Sequence, residues 1–191
     1  MRLFWLQASG CGGCTQSLLG DTARRGVLER LAAGGIEIVS HPALSEACGP
    51  EALAQLRGAA DGRLPFDILC VEGAMLRGPN GSGRFHLLSG SGEPMIDWVR
   101  RLAQRAGVVL AIGSCTAFGG INASGDNLTE ACGLQFDGAE PGGLLGANQS
   151  QLLEHHHEKI SHPLGAHGCG HRPCACAWRL HARRILSNVF R

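Results

Sequence analysis

Four short apolar runs, Leu3 to Gln7, Ile36 to Val39, Asp67 to Val71 and Val108 to Ile112, punctuate the first part of the chain, with stretches of helical period between them. Thr15 to Leu31 carries Leu18, Leu19, Val27, Leu28 and Leu31 near helical spacing and stops at Gly34-Gly35. Gly49-Pro50-Glu51 opens a helix through Leu56, and Met95 to Arg105 sets Ile96, Val99 and Leu102 on one face. Unbroken apolar runs suit strands covered on both sides, and strand-helix alternation leaves one main solution: an α/β, doubly wound parallel sheet with right-handed crossovers. In such a sheet a ligand lies outside the carboxyl ends of the strands, where the strand order reverses.

That rule selects three loops. They are Ala8-Ser9-Gly10-Cys11-Gly12-Gly13-Cys14 after the first strand, Glu72-Gly73-Ala74 after the third, and Gly113-Ser114-Cys115-Thr116 after the fourth. Topology thereby brings three thiols and one carboxylate to a common edge. A C-x-x-C pair lets two thiolates reach one soft metal centre, with glycines that free backbone N–H groups to face the sulfurs. By itself the pair fits equally a redox dithiol or half a zinc site. Cys115 on the same edge favours a cuboidal iron-sulfur cluster, which draws four ligands from separate loops, because a dithiol has no use for a third cysteine there.

Gly73 to Gly92 is a long glycine-rich loop, and loops of that length are commonly functional. It lacks the Gly-Lys-Ser/Thr ending of a phosphate-binding loop, and Gly81-Ser82-Gly83 is too short and wrongly placed for a dinucleotide fingerprint. A surface shaped for a protein fits better, with Arg77, Arg84, Phe85 and His86 as candidate contacts. Cys70 reads as a small apolar residue of a buried strand, Cys48 as structural, and Cys132 as uninvolved.

Composition narrows the function classes. Nine cysteines in 191 residues is high for a reduced protein, and an odd number cannot pair completely within the chain. A net charge of +1 with 17% charged residues argues against a nucleic-acid binder working through a basic surface and against a charge-extended disordered chain. No apolar run approaches the roughly 18 residues of a membrane span. The amino terminus has no apolar signal region, and Arg24-Arg25 lies within a helical pattern, so the expected location is cytoplasmic. The averages conceal a break: residues 1–150 carry 11 Arg and 14 acidic residues, whereas residues 151–191 carry six basic and two acidic ones together with seven of the nine His.

Taken together, Trp5-Leu6-Gln7 with Gly10-Cys11-Gly12-Gly13-Cys14-Thr15, Val71-Glu72-Gly73-Ala74, the Gly78 to His86 loop, and above all Ile112-Gly113-Ser114-Cys115-Thr116-Ala117-Phe118-Gly119-Gly120-Ile121 resemble the small subunit of nickel-iron hydrogenases. Glu72 to Gly81, Gly133 to Gly138 and Pro141 to Gly146 are most similar to the regulatory, hydrogen-sensing branch of that family. The resemblance covers about residues 1–147. It implies a flavodoxin-like domain over 1–147 that docks on a large subunit holding the nickel-iron centre and receives electrons through a proximal 4Fe-4S cluster. Cys11, Cys14 and Cys115 would be cluster ligands, and Glu72 would line the proton or electron route towards the large subunit. Trp5 and the Gly78 to His86 loop, with Arg77, Arg84, Phe85 and His86, would lie near the partner. The cluster subunit of respiratory complex I ranks second, because its family uses an adjacent Cys-Cys pair and this chain has none.

The resemblance weakens in residues 148–191, read as an atypical, irregular or poorly ordered His/Arg/Cys-rich tail. The family's fourth proximal ligand sits in a Gly-Cys-Pro segment, to which Gly168-Cys169-Gly170-His171-Arg172-Pro173 is the nearest match. Cys169 is therefore the candidate fourth ligand. Three readings of the tail stand side by side: a rearranged ligand set around Cys169, a separate zinc-like site with His167, His171, Cys174 and Cys176, or an out-of-frame or truncated end.

Overall fold

The structure is a computed structural model that describes residues 1–20 and 26–146. The expectations for the tail, Cys169 included, lie outside the described residues, as does Arg24-Arg25. In chain order the elements are β1 (Arg2–Gln7), α1 (Gly13–Leu19), α2 (Val27–Ala33), β2 (Glu37–Ser40), α3 (Gly49–Ala60), β3 (Ile68–Glu72), β4 (Met75–Leu76), α4 (Met95–Ala103), β5 (Val108–Ile112) and α5 (Gly113–Phe118). A 3₁₀ turn (Gly120–Ala123) and three two-residue strands follow: β6 (Ala131–Cys132), β7 (Phe136–Asp137) and β8 (Glu140–Pro141).

The main sheet has the order β2-β1-β3-β5, and every pairing in it is parallel. This is the expected doubly wound α/β arrangement. Its order reverses between β1 and β3, so the crevice opens at their carboxyl ends. Both faces are covered, which is why the strands read as unbroken apolar runs. Leu3, Trp5, Ile68, Cys70, Leu110 and Ile112 point to one side and pack with Leu18, Val27 and Ile36. Phe4, Leu6, Leu69, Val71 and Val109 point to the other and pack with Leu56, Trp98, Val99 and Leu102 from α3 and α4. Burying each large apolar side chain contributes about 1.5–3 kcal/mol, so each face supplies a separate core.

Three local readings change. The single helix expected over Thr15 to Leu31 is two helices on either side of the undescribed residues 21–25. Gly20 ends the first, its N–H donating to Gln16 O at 2.8 Å, and Gly26 precedes the second. Helix α3 runs to Ala60 rather than Leu56, and α4 stops at Ala103. Glu72 is the last residue of β3 rather than the start of a loop. The long loop from Gly73 is also anchored: β4 pairs antiparallel with β6, Met75 opposite Cys132, while β7 and β8 form a small hairpin.

Candidate metal centre

The parallel register aligns the ends of three strands, with Gln7 opposite Glu72 and Glu72 opposite Ile112. The loops that leave these ends touch backbone to backbone. A Cβ built on Gly73, whose φ is +98°, would lie 2.8 Å from the Ser9 carbonyl, and one on Gly10 would lie 3.1 Å from Gly73 Cα. Only glycine allows that approach. Asn122, in the 3₁₀ turn, completes the junction by donating from Nδ2 to Ser9 O at 2.9 Å and to Ser9 Oγ at 3.2 Å.

Each predicted thiol is seated beside a glycine of this junction. Cys14 lies in the first turn of α1, half-buried, with Sγ 3.8 Å from Ile112 O. A Cβ on Gly113 would come within 2.5 Å of that sulfur. Cys115 is half-buried in α5, and a Cβ on Gly120 would meet its Sγ at 2.6 Å. Cys11 is exposed on the turn before α1, its Sγ 3.1 Å from the Cβ position of Gly13. The glycines leave sulfur-sized space where side chains would fill it. Among the described residues no three His, Cys, Asp or Glu side chains are gathered tightly enough to hold a single metal ion. Two thiols from one turn and a third from a second loop are the kind of donor set that a multi-iron cluster draws on.

Glu72 lies beneath these thiols, 2% exposed. Its Oε1 accepts the N–H groups of Cys14 at 3.0 Å and Thr15 at 3.2 Å. Its Oε2 accepts the Thr15 hydroxyl at 2.5 Å and the Trp5 indole N–H at 3.3 Å. The carboxylate thus pins the first turn of α1, and with it Cys14, to the end of β3. Four donors on one carboxylate satisfy a group that would otherwise be expensive to bury. Thr15 gave no signal in the sequence, because its role depends on a partner 57 residues away.

Trp5 is only 5% exposed and faces the chain's own interior, where its ring stacks on His41 at 4.9 Å. His41 Nδ1 accepts the Ala43 N–H at 3.1 Å, which puts the neutral imidazole's proton on Nε2, a buried atom with no hydrogen-bond partner among the described residues. Burial lowers the His41 pKa against an opposing pull from Glu72, and burial lowers that of His86 as well. A histidine held neutral in the fold stabilises it above the unfolded-state pKa, and that contribution is lost as pH falls below about 6.5. Urea unfolding at about pH 7.5 and about pH 5.5 is expected to show lower stability at the acid end, with a smaller drop in His41→Gln. Equal drops in the two proteins would refute the assignment.

The remaining candidates separate by exposure. Arg84 and Phe85 are exposed, Phe85 by 53%, whereas His86 is half-buried with Nδ1 unpartnered. Arg77 is half-buried and donates from Nη2 to Asp137 at 2.5 Å. Burial alone would lower its pKa, but the Asp137 hydrogen bond and the charges of Cys132, Asp137 and Glu130 raise it. It serves the fold before any partner. Ile121 and Leu128, which follow the Cys115 helix in sequence, are 77% and 83% exposed. Cys70 is buried in β3, where burial pushes its thiol pKa up, and Cys132 is buried in β6, also with a raised pKa. Cys48 is exposed.

Comparison with known proteins bears on this site. The family profile described as NADH ubiquinone oxidoreductase, 20 Kd subunit, matches residues 11–176. The small chain of hydrogenase-2 from Escherichia coli K12 is 35% identical over 133 residues, 70% of this chain and 34% of its own. A periplasmic NiFeSe hydrogenase small subunit from Desulfomicrobium baculatum is 29% identical over 138 residues, 66% of this chain and 42% of its own. A solved structure of a Desulfomicrobium baculatum NiFeSe hydrogenase superposes with a TM-score of 0.57 at 29% identity, covering 70% of this chain and 49% of that one. The chain thus spans about a third of the length of the first of these relatives, 34%.

Proposed function

Since the chain belongs to the family of the NADH ubiquinone oxidoreductase 20 Kd subunit and is homologous to nickel-iron hydrogenase small subunits, we propose that it is the electron-transfer partner of a hydrogen-activating large subunit. The observation that carries this reading is the delivery of Cys11, Cys14 and Cys115 to one strand edge, each beside a glycine, over a buried carboxylate. These three thiols would hold a proximal 4Fe-4S cluster. Cys169 is the proposed fourth ligand, supported by a profile match that runs past it to residue 176. The adjacent Cys-Cys pair associated with the complex I branch occurs nowhere in the sequence, which favours the hydrogenase side of the family.

When bound, such a cluster supplies a one-electron acceptor and donor close to the subunit boundary. The protein's own share is positional. Glu72 fixes the turn that carries Cys14, and Gly10, Gly73 and Asn122 clamp the Cys11 loop to its neighbours. Ile121, Leu128, Arg84 and Phe85 provide an apolar and cationic surface beside the cluster loops, of the composition that docks a protein. The nickel-iron centre belongs to the partner in this proposal, and this chain contributes no catalytic group. Hydrogen sensing is the proposed branch of the function, supported by the sequence of Glu72 to Gly81 and of the stretches within 133–146.

Anaerobic reconstitution of the full chain with iron and sulfide, followed by absorption and EPR spectroscopy, is expected to give a 4Fe-4S signature. Co-expression with the hydrogenase large subunit of the same organism is expected to yield a stable heterodimer. Uptake of zinc with no cluster under any condition would refute the proposal.

A further inference from the structure

The segment that displays Arg84 and Phe85 is held by a residue that neither its own sequence pattern nor its distance along the chain would suggest. Glu130 lies between the 3₁₀ turn and β6, half-buried, with φ +51°. Its Oε1 accepts the Asn80 N–H at 2.6 Å and its Oε2 accepts the Gly81 N–H at 2.9 Å. Asn80 and Gly81 both have positive φ, 52° and 73°, and in this turn their consecutive amides are both bound by the one carboxylate. The main chain around Glu130 reinforces the hold. Its carbonyl accepts the Arg77 N–H and Arg77 Nε, each at 3.2 Å, and the neighbouring Thr129 carbonyl accepts the Gly78 N–H at 3.1 Å.

The far side of the loop closes on itself. The Gly83 N–H donates to Arg77 O at 2.5 Å and the Phe85 N–H to Gly78 O at 3.0 Å. The Phe85 ring covers Gly78 so closely that a Cβ there would lie 2.7 Å from two ring carbons, and a Cβ on Gly83 would strike Ile96 at 2.5 Å. The loop therefore has one shape, with the Phe85 ring half out in solvent and Arg84 beside it. Within the exposed tip the Ser82 hydroxyl donates to Pro79 O at 2.7 Å, and the two amide bonds to Glu130 tie that turn to the segment before β6.

We propose that Glu130 is a positioning residue for partner docking: its carboxylate latches the 78–86 loop so that Arg84 and Phe85 meet the large subunit already in their bound arrangement. The inference rests on the docking function proposed above. Fixing a loop in advance removes ordering cost from association, and most of that gain is lost if the loop must be ordered on contact.

Hydrogen exchange of the full chain, read at single amides, tests the latch. Glu130→Ala is expected to speed exchange at Asn80 and Gly81 by about tenfold or more, with the amides of β1, β3 and β5 unchanged. Glu130→Gln, which retains one acceptor oxygen, is expected to restore protection at one of the two. Association with the large subunit, followed by surface plasmon resonance, is expected to slow about tenfold in Glu130→Ala and to recover in part in Glu130→Gln. Phe85→Ala is expected to weaken binding while leaving the protection of Asn80 and Gly81 intact. Unchanged exchange in Glu130→Ala would overturn the latch, and faster exchange with unchanged association would overturn its docking role. A wild-type chain that does not bind the large subunit would overturn the docking function itself, a result the exchange measurement keeps separate from the latch.

Discussion

Cys115→Ala is expected to abolish assembly of the proposed iron-sulfur cluster on reconstitution, while Cys70→Ala is expected to leave it intact. The two cysteines differ in where the sheet puts them. Cys70 is central in β3, 2% exposed among Leu3, Trp5, Leu18 and Ile112, with burial pushing its pKa well above that of a free thiol. It has no thiolate to offer a metal, and its replacement removes one buried sulfur at a cost of about 1–2 kcal/mol. Cys115 lies half-buried in α5 at the open edge, its sulfur lodged against Gly120. Removing it would vacate one corner of the proposed ligand set and leave both apolar cores untouched. The check is the visible absorption and reduced-state EPR signal of each variant, with far-UV circular dichroism confirming that both fold. Equal loss of cluster in the two variants would show that the strand edge does not define the site.

The second large effect is on stability. Glu72→Ala leaves the Cys14 and Thr15 amides, the Thr15 hydroxyl and the Trp5 indole without the acceptor they share. Each buried donor stranded in this way costs about 1–3 kcal/mol, and partial rehydration lowers the sum, so a loss of about 3 kcal/mol or more is expected. Glu72→Gln keeps the shape and one acceptor oxygen but turns an amino group towards two of the donors, and an intermediate loss follows. Urea titration of both variants reads the effect directly. A loss below about 1 kcal/mol in Glu72→Ala would mean that solvent replaces the carboxylate and that α1 needs no such anchor.

Most of the sheet was legible in the sequence, and the reason is physical. Val108 to Ile112 is buried from both sides, so its run of apolar residues is unbroken, and the expected strand coincides with β5. The same reasoning picked out the two thiol-bearing loops and the Glu72 segment between them, because a parallel sheet leaves its strand ends on one edge. It did not show where side chains point: strand alternation turns Trp5 to the face covered by α1 and α2, against His41. The helix expected over 15–31 ignored Gly20 and Gly26, which flank the break and could have signalled it. Short pairings such as Met75 with Cys132 have too few residues to show a period. Thr15, Asn122 and Glu130 escaped because each acts on a segment at least 49 positions away, which no local pattern encodes.

The register of β1, β3 and β5 also governs when the site can exist during folding. Cys11 and Cys14 sit together in one turn from the start, but Cys115 reaches them only after β3 has inserted between β1 and β5, with Glu72 opposite both Gln7 and Ile112. Parallel pairings of such long sequence separation form late and slowly. A nascent chain therefore offers two thiols early and the third only when the sheet is complete. Ligation that needs all three would wait for that moment, so loading of the proposed site would report that the scaffold has finished folding.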